Sequence, residues 1–276
     1  MKKRLLLIAL LLVAIGGAVY WFAHRNQEET DDATIEAHAI PMIPKVSGYV
    51  TAVNILENHP VKAGDSLITI DPRDYQIAHD HAAASLAAAE ANLTNANINL
   101  KRMQDMNNLA RSRKDLDDAT AQAATALANE ALAKAQLAQA DKDLTDTQML
   151  SPSDGIVTER GVEEGMYVQP GTTLFYLVTP DRWVTANYKE TQLTHVQAGQ
   201  KVDITIDAYP DLTLHGTVDS IQRGTGARFS LFPAQNATGN FVKIVQRIPV
   251  KILLNDIPTN VVLAPGMSVI PTIHTK

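Results

Sequence analysis

The chain has 276 residues, 45% of them hydrophobic, enough to bury the cores of two or three small domains. Its net charge of −6 argues against the basic surface with which nucleic-acid binders displace phosphate counterions, so no nucleic-acid partner is expected. Without cysteine it has no disulfide, thiolate metal site, thiol nucleophile or lipid-bearing cysteine.

Lys2, Lys3 and Arg4 precede an uncharged run of nineteen residues, Leu5 to Ala23, which is followed by His24 and Arg25. As a helix this run spans roughly 28 Å, close to a bilayer core. A cleaved signal would end in small residues, whereas Tyr20, Trp21 and Phe22 stand there, so residues 1–25 are expected to form a cytoplasmic tip and one uncleaved transmembrane helix. The basic N-terminus and the acidic stretch from Glu28 to Asp32 keep the N-terminus cytoplasmic. The bulk of the chain is then expected on the far side of that membrane, which in a bacterium with an inner and an outer membrane is the periplasm. Residues 26–42 follow as a linker and entering strand.

Residues 73–149 contain, up to Leu150, neither Gly nor Pro and are crowded with Ala, Leu, Asn, Gln and Asp. Ala82, Leu86, Ala89, Leu93, Ala96, Leu100 and Met103 step alternately by 4 and 3, the seam of a coiled coil. Leu116, Ala119, Ala123, Ala126, Glu130, Ala133, Leu137, Ala140 and Leu144 keep the rhythm, with Glu130 the single polar member. The polar and basic stretch at 107–115, "NNLARSRKD", divides the two seams into near-equal halves, so two antiparallel helices joined there are expected in preference to the alternative, a continuous dimeric coiled coil. Beyond Leu150 the texture is β, with Val, Ile, Thr and Tyr alternating with polar residues between Gly and Pro. Strands are expected in "VDITID", "LHGTVDSI", "VQRIPVKILL" and "GMSVIPTIHT", a short helix over Glu190 to Val196, and a long loop from Arg223 to Asn240. Residues 181–276 accordingly read as a small antiparallel barrel or sandwich.

The segments flanking the helices repeat one another. Gly48, Val50, Val61, Gly64 and Leu67 form the same frame as Gly155, Val157, Val168, Gly171 and Leu174, at a constant offset of 107. Residues 43–72 and 150–180 therefore read as two equivalent β-units, with glycines at turns and Val and Leu inward.

These two units, "SGYV…VKAGDSLITID" and "SPSDGIVTERGVEEGMYVQPGTTLFYLV", resemble the half-motifs of a biotinyl/lipoyl fold as split by a helical hairpin in periplasmic adaptors, the membrane fusion (HlyD-type) family. "WVTANYKETQ", "GTGARFSLFPAQNATGN" and "KIVQRIPVKI" resemble the EmrA-type adaptors of major-facilitator drug exporters. The fold class this implies is α+β and elongated: an N-terminal transmembrane helix, a split lipoyl-like β-sandwich, a long antiparallel coiled-coil hairpin and a C-terminal β-barrel. The function it implies is that of an adaptor in a tripartite multidrug efflux pump. Its partners would be an inner-membrane major-facilitator transporter, a TolC-type outer-membrane channel and copies of itself in a ring, a hexamer by analogy. An adaptor of an ATP-driven secretion system would share the fold, and a biotin- or lipoate-carrying subunit would share the half-motifs.

Related adaptors dock the channel through an Arg, a Leu and a Ser at the hairpin tip. The corresponding residues here are Arg102, Met106 and Ser112, with Leu109 a further candidate; Met106 replaces the leucine and Ser112 comes one residue early. In the long barrel loop, Arg228, Phe229, Leu231, Phe232 and Asn236 are candidates for contact with an exported compound or with a neighbouring subunit. No lysine-bearing turn of a cofactor carrier joins the half-motifs, and no cofactor is expected. His79 and His81, two apart on a helix, do not share a face, so no metal site is expected. Phosphate loops, nucleophile elbows and paired-carboxylate motifs are missing too, so the chain is not expected to be an enzyme.

Overall fold

The computed structural model describes residues 26–106, 112–225, 245–258 and 261–275. The expected anchor at 1–25 lies outside them, and among the described residues no helix is long and apolar enough to cross a membrane. The described residues form two units: those from Ala39 to Thr179, and those of 26–38 together with those from Pro180 onward.

This division differs from the expected linker at 26–42. That stretch carries β1 (Gln27–Glu29) and β2 (Ala33–Glu36), both strands of the second unit's sheet, and then β3 (Ala39–Met42), a strand of the first. Ala33 and Ile35 are buried while Thr34 and Glu36 are half-buried, a period-two pattern too short to stand out in sequence.

The first unit contains β3, β4 (Gly48–Val53), β5 (Pro60–Val61), β6 (Ser66–Ile70), β7 (Gln148–Leu150), β8 (Gly155–Thr158), β9 (Tyr167–Val168) and β10 (Phe175–Val178). One four-stranded sheet has the order β7-β6-β4-β9, the other β3-β10-β8-β5. Shifting by 107 residues carries β4 onto β8, β5 onto β9 and β6 onto the span of β10, so the two orders are the same arrangement built twice. The halves are also interlocked. Of the repeat glycines only Gly64 and Gly171 are at turns as expected. Gly48 and Gly155 instead open β4 and β8, because a side chain on either would collide with the core; Gly48 pairs with Val168 and Gly155 with the half-buried Val61, each valine in the other half. Backbone bonds cross in the same reciprocal way: Val50 N–H donates to Met166 O at 2.9 Å, and Val157 N–H donates to His59 O at 3.2 Å. Val50, Leu67, Val157, Val168 and Leu174 are buried in one shared core with Ile68, Ile70, Phe175 and Leu177. Neither half encloses a core alone.

Between β6 and β7 the chain leaves as α1 (Arg73–Asp105) and returns as α2 (Arg113–Thr145), each of 33 residues and about 50 Å long. Ala82, Ala119, Ala123 and Ala133 are buried in the seam, and the other seam residues, Glu130 included, are half-buried. Alanine at so many seam positions lets the backbones approach closely. Helix α2 starts inside the expected 107–115 break, because the extended Ser112 precedes it and Asp115 complements the dipole of its first turn. It ends at Thr145, and β7 starts two residues before the expected boundary at 150, since Thr147 and Met149 both turn into the core.

The second unit holds β11 (Trp183–Lys189), β12 (Lys201–Ile206), β13 (Tyr209–Ile221), β14 (Arg247–Leu254) and β15 (Val269–His274). With β1 and β2 they form a sheet of order β1-β15-β12-β13-β14-β11-β2. It closes on itself: Ile35 N–H donates to Met267 O and Gly266 N–H to Ile35 O, tying β2 to the chain entering β15. Ile35, Val184, Ala186, Tyr188, Ile204 and Ile252 are among the residues filling the interior. The expected helix over Glu190 to Val196 is a 3₁₀ segment, Glu190–His195.

Candidate functional site

The hairpin emerges where two neighbouring strands would otherwise be joined by a tight turn. Thr69 pairs with Gln148, and Ile70 N–H donates to Thr147 O at 2.8 Å, so the roots of both helices are fixed by the sheet. Side chains add to this. Tyr75, packed against the sandwich core, donates its hydroxyl to Ser47 O at 2.7 Å. Arg73 Nε lies 3.0 Å from both Asp71 carboxylate oxygens, and that hydrogen bonding holds the Asp71 carboxyl at about 2. On the returning side Asp146, its side chain 9% exposed, receives Lys45 at 2.9 Å on one oxygen and Lys142 at 2.8 Å on the other. Burial alone would raise this carboxyl; the bonds from Lys142 and Lys45 outweigh it and hold it below the usual range. The result is an ionic clamp joining the last turn of α2 to the strand side of the sandwich.

At the far end, Arg102 lies exposed in the last turn of α1, Met106 follows that helix with 42% exposure, and Ser112 precedes α2. The Ser112 side chain makes no capping hydrogen bond, so its hydroxyl is not committed to the helix it precedes. The antiparallel helices bring these three candidates to one end. Leu109 lies outside the described residues, as do Arg228, Phe229, Leu231, Phe232 and Asn236.

On the outside of the barrel unit, Asp203 accepts contacts from His274 Nε2 at 2.7 Å and His215 Nδ1 at 2.8 Å, one on each oxygen. The hydrogen bond from His274, followed by that from His215 and opposed by partial burial, keeps the Asp203 carboxyl below its usual range. Inside, the Tyr188 hydroxyl donates to Pro271 O at 2.9 Å, and burial pushes its pKa far up, so it is a packed donor and not a proton carrier. Among the described residues no group of three or more His, Cys, Asp or Glu is placed to hold a metal ion. His79 Nδ1 lies 3.2 Å from Asp80. Neither the Asp146 clamp nor the Asp203 cluster was visible in sequence, since Lys45 and Asp146 are 101 residues apart and His274 and Asp203 are 71 apart. Only the Lys142 to Asp146 spacing of four carried a local signal.

Residues 39–180 match the family model described as the barrel-sandwich hybrid domain of RND membrane fusion proteins, and residues 182–274 match the AAEA-like beta-barrel domain. The colistin resistance protein EmrA of Acinetobacter baumannii is 31% identical, over 98% of this chain and 93% of that protein. The multidrug export protein EmrA of Escherichia coli K12 is 34% identical, over 88% of this chain and 75% of that protein. Among solved structures, the membrane fusion protein Spr0693 of Streptococcus pneumoniae R6 shares the fold, with a TM-score of 0.66 and 18% identity over 91% of this chain and 99% of that one.

Proposed function

Because the chain belongs to the membrane fusion protein family of efflux-pump adaptors, we propose that it bridges an inner-membrane major-facilitator drug exporter to a TolC-type outer-membrane channel. In this reading residues 1–25 anchor it in the inner membrane with the N-terminus cytoplasmic, and the barrel and sandwich lie in the periplasm. Copies assemble as a ring, a hexamer by analogy with related adaptors, whose hairpins seal a conduit. The protein bridges and seals; the energy comes from the transporter.

The observation that carries this reading is the hairpin itself. A closed sandwich has no need of two 50 Å helices inserted between adjacent strands, yet their roots are clamped by Tyr75, Lys45 and Asp146 and their far end gathers Arg102, Met106 and Ser112. Such an arm presents a tip at a distance. The relatives named for multidrug export and colistin resistance support an exported antimicrobial compound as cargo. The barrel-loop candidates Phe229, Leu231 and Phe232 would touch that compound or a neighbouring copy.

The test is site-directed cross-linking to the channel in cells. Arg102→Asp and Ser112→Asp are expected to weaken it and to lower drug resistance at normal expression; wild-type behaviour of both would sink tip docking. Phe232→Ala is expected to lower export or ring assembly, and no change in either would remove the loop from the mechanism. Co-purification with an ATPase instead of a major-facilitator protein would favour an ATP-driven secretion system.

A further inference from the structure

One short stretch of the sandwich reaches both roots of the hairpin. Between β3 and β5 the chain alternates: Met42, Pro44, Val46 and Val50 are buried, which pins the backbone that runs between them. Three of the intervening residues meet the hairpin. Lys45 Nζ lies 2.9 Å from the carboxylate of Asp146, the residue that ends α2. Ser47 O accepts the Tyr75 hydroxyl of α1 at 2.7 Å, and Tyr49 O accepts the N–H of Asp71, two residues before α1, at 2.8 Å. In the sheet order β7-β6-β4-β9, α1 continues from β6 and α2 returns into β7, so Lys45, just ahead of β4, reaches past β6 to hold the farther helix.

These contacts are not a property of the repeated β-unit. At the offset of 107, Lys45, Val46 and Ser47 become Pro152, Ser153 and Asp154. There Asp154 turns back on the sandwich and accepts the Ala63 N–H at 2.9 Å, and Ser153 brings a hydroxyl where Val46 brings an apolar side chain. Three consecutive positions thus differ between the halves at the place where only the first half has helices to carry. The arm also magnifies any movement at its root. Over about 50 Å, a swing of roughly 10° displaces the tip by about 9 Å, several times the length of a hydrogen bond.

We propose that residues 44–49 form a seat that aims the hairpin, with Lys45 and Tyr75 as its positioning residues. They fix the direction in which the arm leaves the sandwich and so where its tip arrives. The neighbouring ends of β6 and β7 define a line about which the arm can still swing. Contacts with a third stretch, beside that line, remove the swing, and they do so on both helices at once. The consequence for the tip rests on the bridging role proposed above; the direction of the arm does not.

The chain has no native cysteine, so two introduced spin labels report the direction of the arm. Lys101→Cys near the tip and Gln169→Cys on the sandwich are both at exposed positions. In the full chain in detergent, diluted with unlabelled chain, they give one intramolecular distance by pulsed electron paramagnetic resonance, expected to be narrowly distributed. Lys45→Ala with Tyr75→Phe removes both side-chain contacts but keeps the Tyr75 ring and the Lys142 to Asp146 pair. The distribution should then widen by roughly 5–10 Å, which a swing of about 6–12° produces, while the ellipticity at 222 nm keeps its wild-type value. Lys45→Ala alone, a change at a largely exposed side chain, should already widen it, and Lys45→Arg, which keeps the charge, should leave it narrow. Wild-type widths in both the single and the double variant would overturn the seat. In cells the double variant is expected to lose channel cross-linking severalfold. A loss without widening would place the effect in docking itself and overturn the seat, whereas widening with wild-type cross-linking would uphold the seat and count against the bridging reading alone.

Discussion

Excising the hairpin separates the two roles assigned to the first unit, a self-closing sandwich and an arm. The perturbation removes residues 72–146 and joins Asp71 to Thr147 through a four-residue Asn/Gly turn. Thr69 and Gln148 are already paired, and Ile70 N–H already reaches Thr147 O at 2.8 Å, so a turn of hairpin length spans the gap without strain. Lost on excision are the Tyr75 to Ser47 hydrogen bond, about 1 kcal/mol, part of the Tyr75 ring's burial, about 1 kcal/mol, and the Asp146 clamp. Lys45 is 71% exposed, which limits its share of the clamp to at most about 1 kcal/mol. The sum, about 2–3 kcal/mol, lowers the melting temperature of a sandwich of this size by roughly 10–20 °C. It leaves the core of Leu67, Ile68, Phe175 and Leu177 intact. Calorimetry and hydrogen exchange check this: the amides of Val50, Val157 and Gly165, which bond across the two halves, are expected to stay protected. Loss of that protection at 20 °C would refute the claim that the halves close on each other without the arm.

Gly155→Ala places a Cβ 2.8 Å from both Leu177 Cδ1 and the Val178 carbonyl oxygen, and the strand cannot retreat, so a loss of about 1–3 kcal/mol is expected by chemical denaturation. Gly171→Ala meets nothing within 4 Å and bears only the strain of its φ of +94°, about 1 kcal/mol; the reverse order would contradict the packing described. Asp146→Asn tests the clamp through pH. Because the folded carboxyl is held down, its stabilisation is present above the unfolded value near 4 and is lost as pH falls through the folded value. The wild type should therefore exceed the variant by about 1 kcal/mol at pH 7, with the gap closing as pH falls below about 4, and a gap independent of pH would exclude the ionic origin. Ala133→Leu forces a large side chain into the buried seam and should cost about 1–3 kcal/mol in hairpin stability, read by circular dichroism at 222 nm; an unchanged melting curve would mean the seam is loose there.

The helices and the repeat were legible because both write themselves as fixed spacings. Alternating steps of 4 and 3 picked out Ala82 to Leu144 as a seam, and the offset of 107 made Gly48 equivalent to Gly155. Equivalence does not say which strand pairs with which, so the exchange that sets Gly48 against Val168 and Gly155 against Val61 emerged only in three dimensions. Strands β1 and β2 were hidden for a different reason. Three polar residues and a four-residue alternation carry almost no periodic signal, and what recruits Ala33 and Ile35 is the vacancy left by a barrel whose other strands lie more than 140 residues away. The position of the hairpin tip was legible because it follows from the helices. The polar break located the end of the hairpin where Arg102, Met106 and Ser112 lie, while their docking role comes from the family resemblance alone; the Lys45 to Asp146 clamp joins side chains that no local pattern relates.

The most direct test of the account isolates the protein by an affinity tag from gently cross-linked cells and identifies what comes with it. Intact chain should bring both a major-facilitator transporter and an outer-membrane channel, while the hairpin-excised chain brings the transporter alone. Recovery of the channel with the excised chain at the wild-type level would contradict the claim that the hairpin makes the bridge.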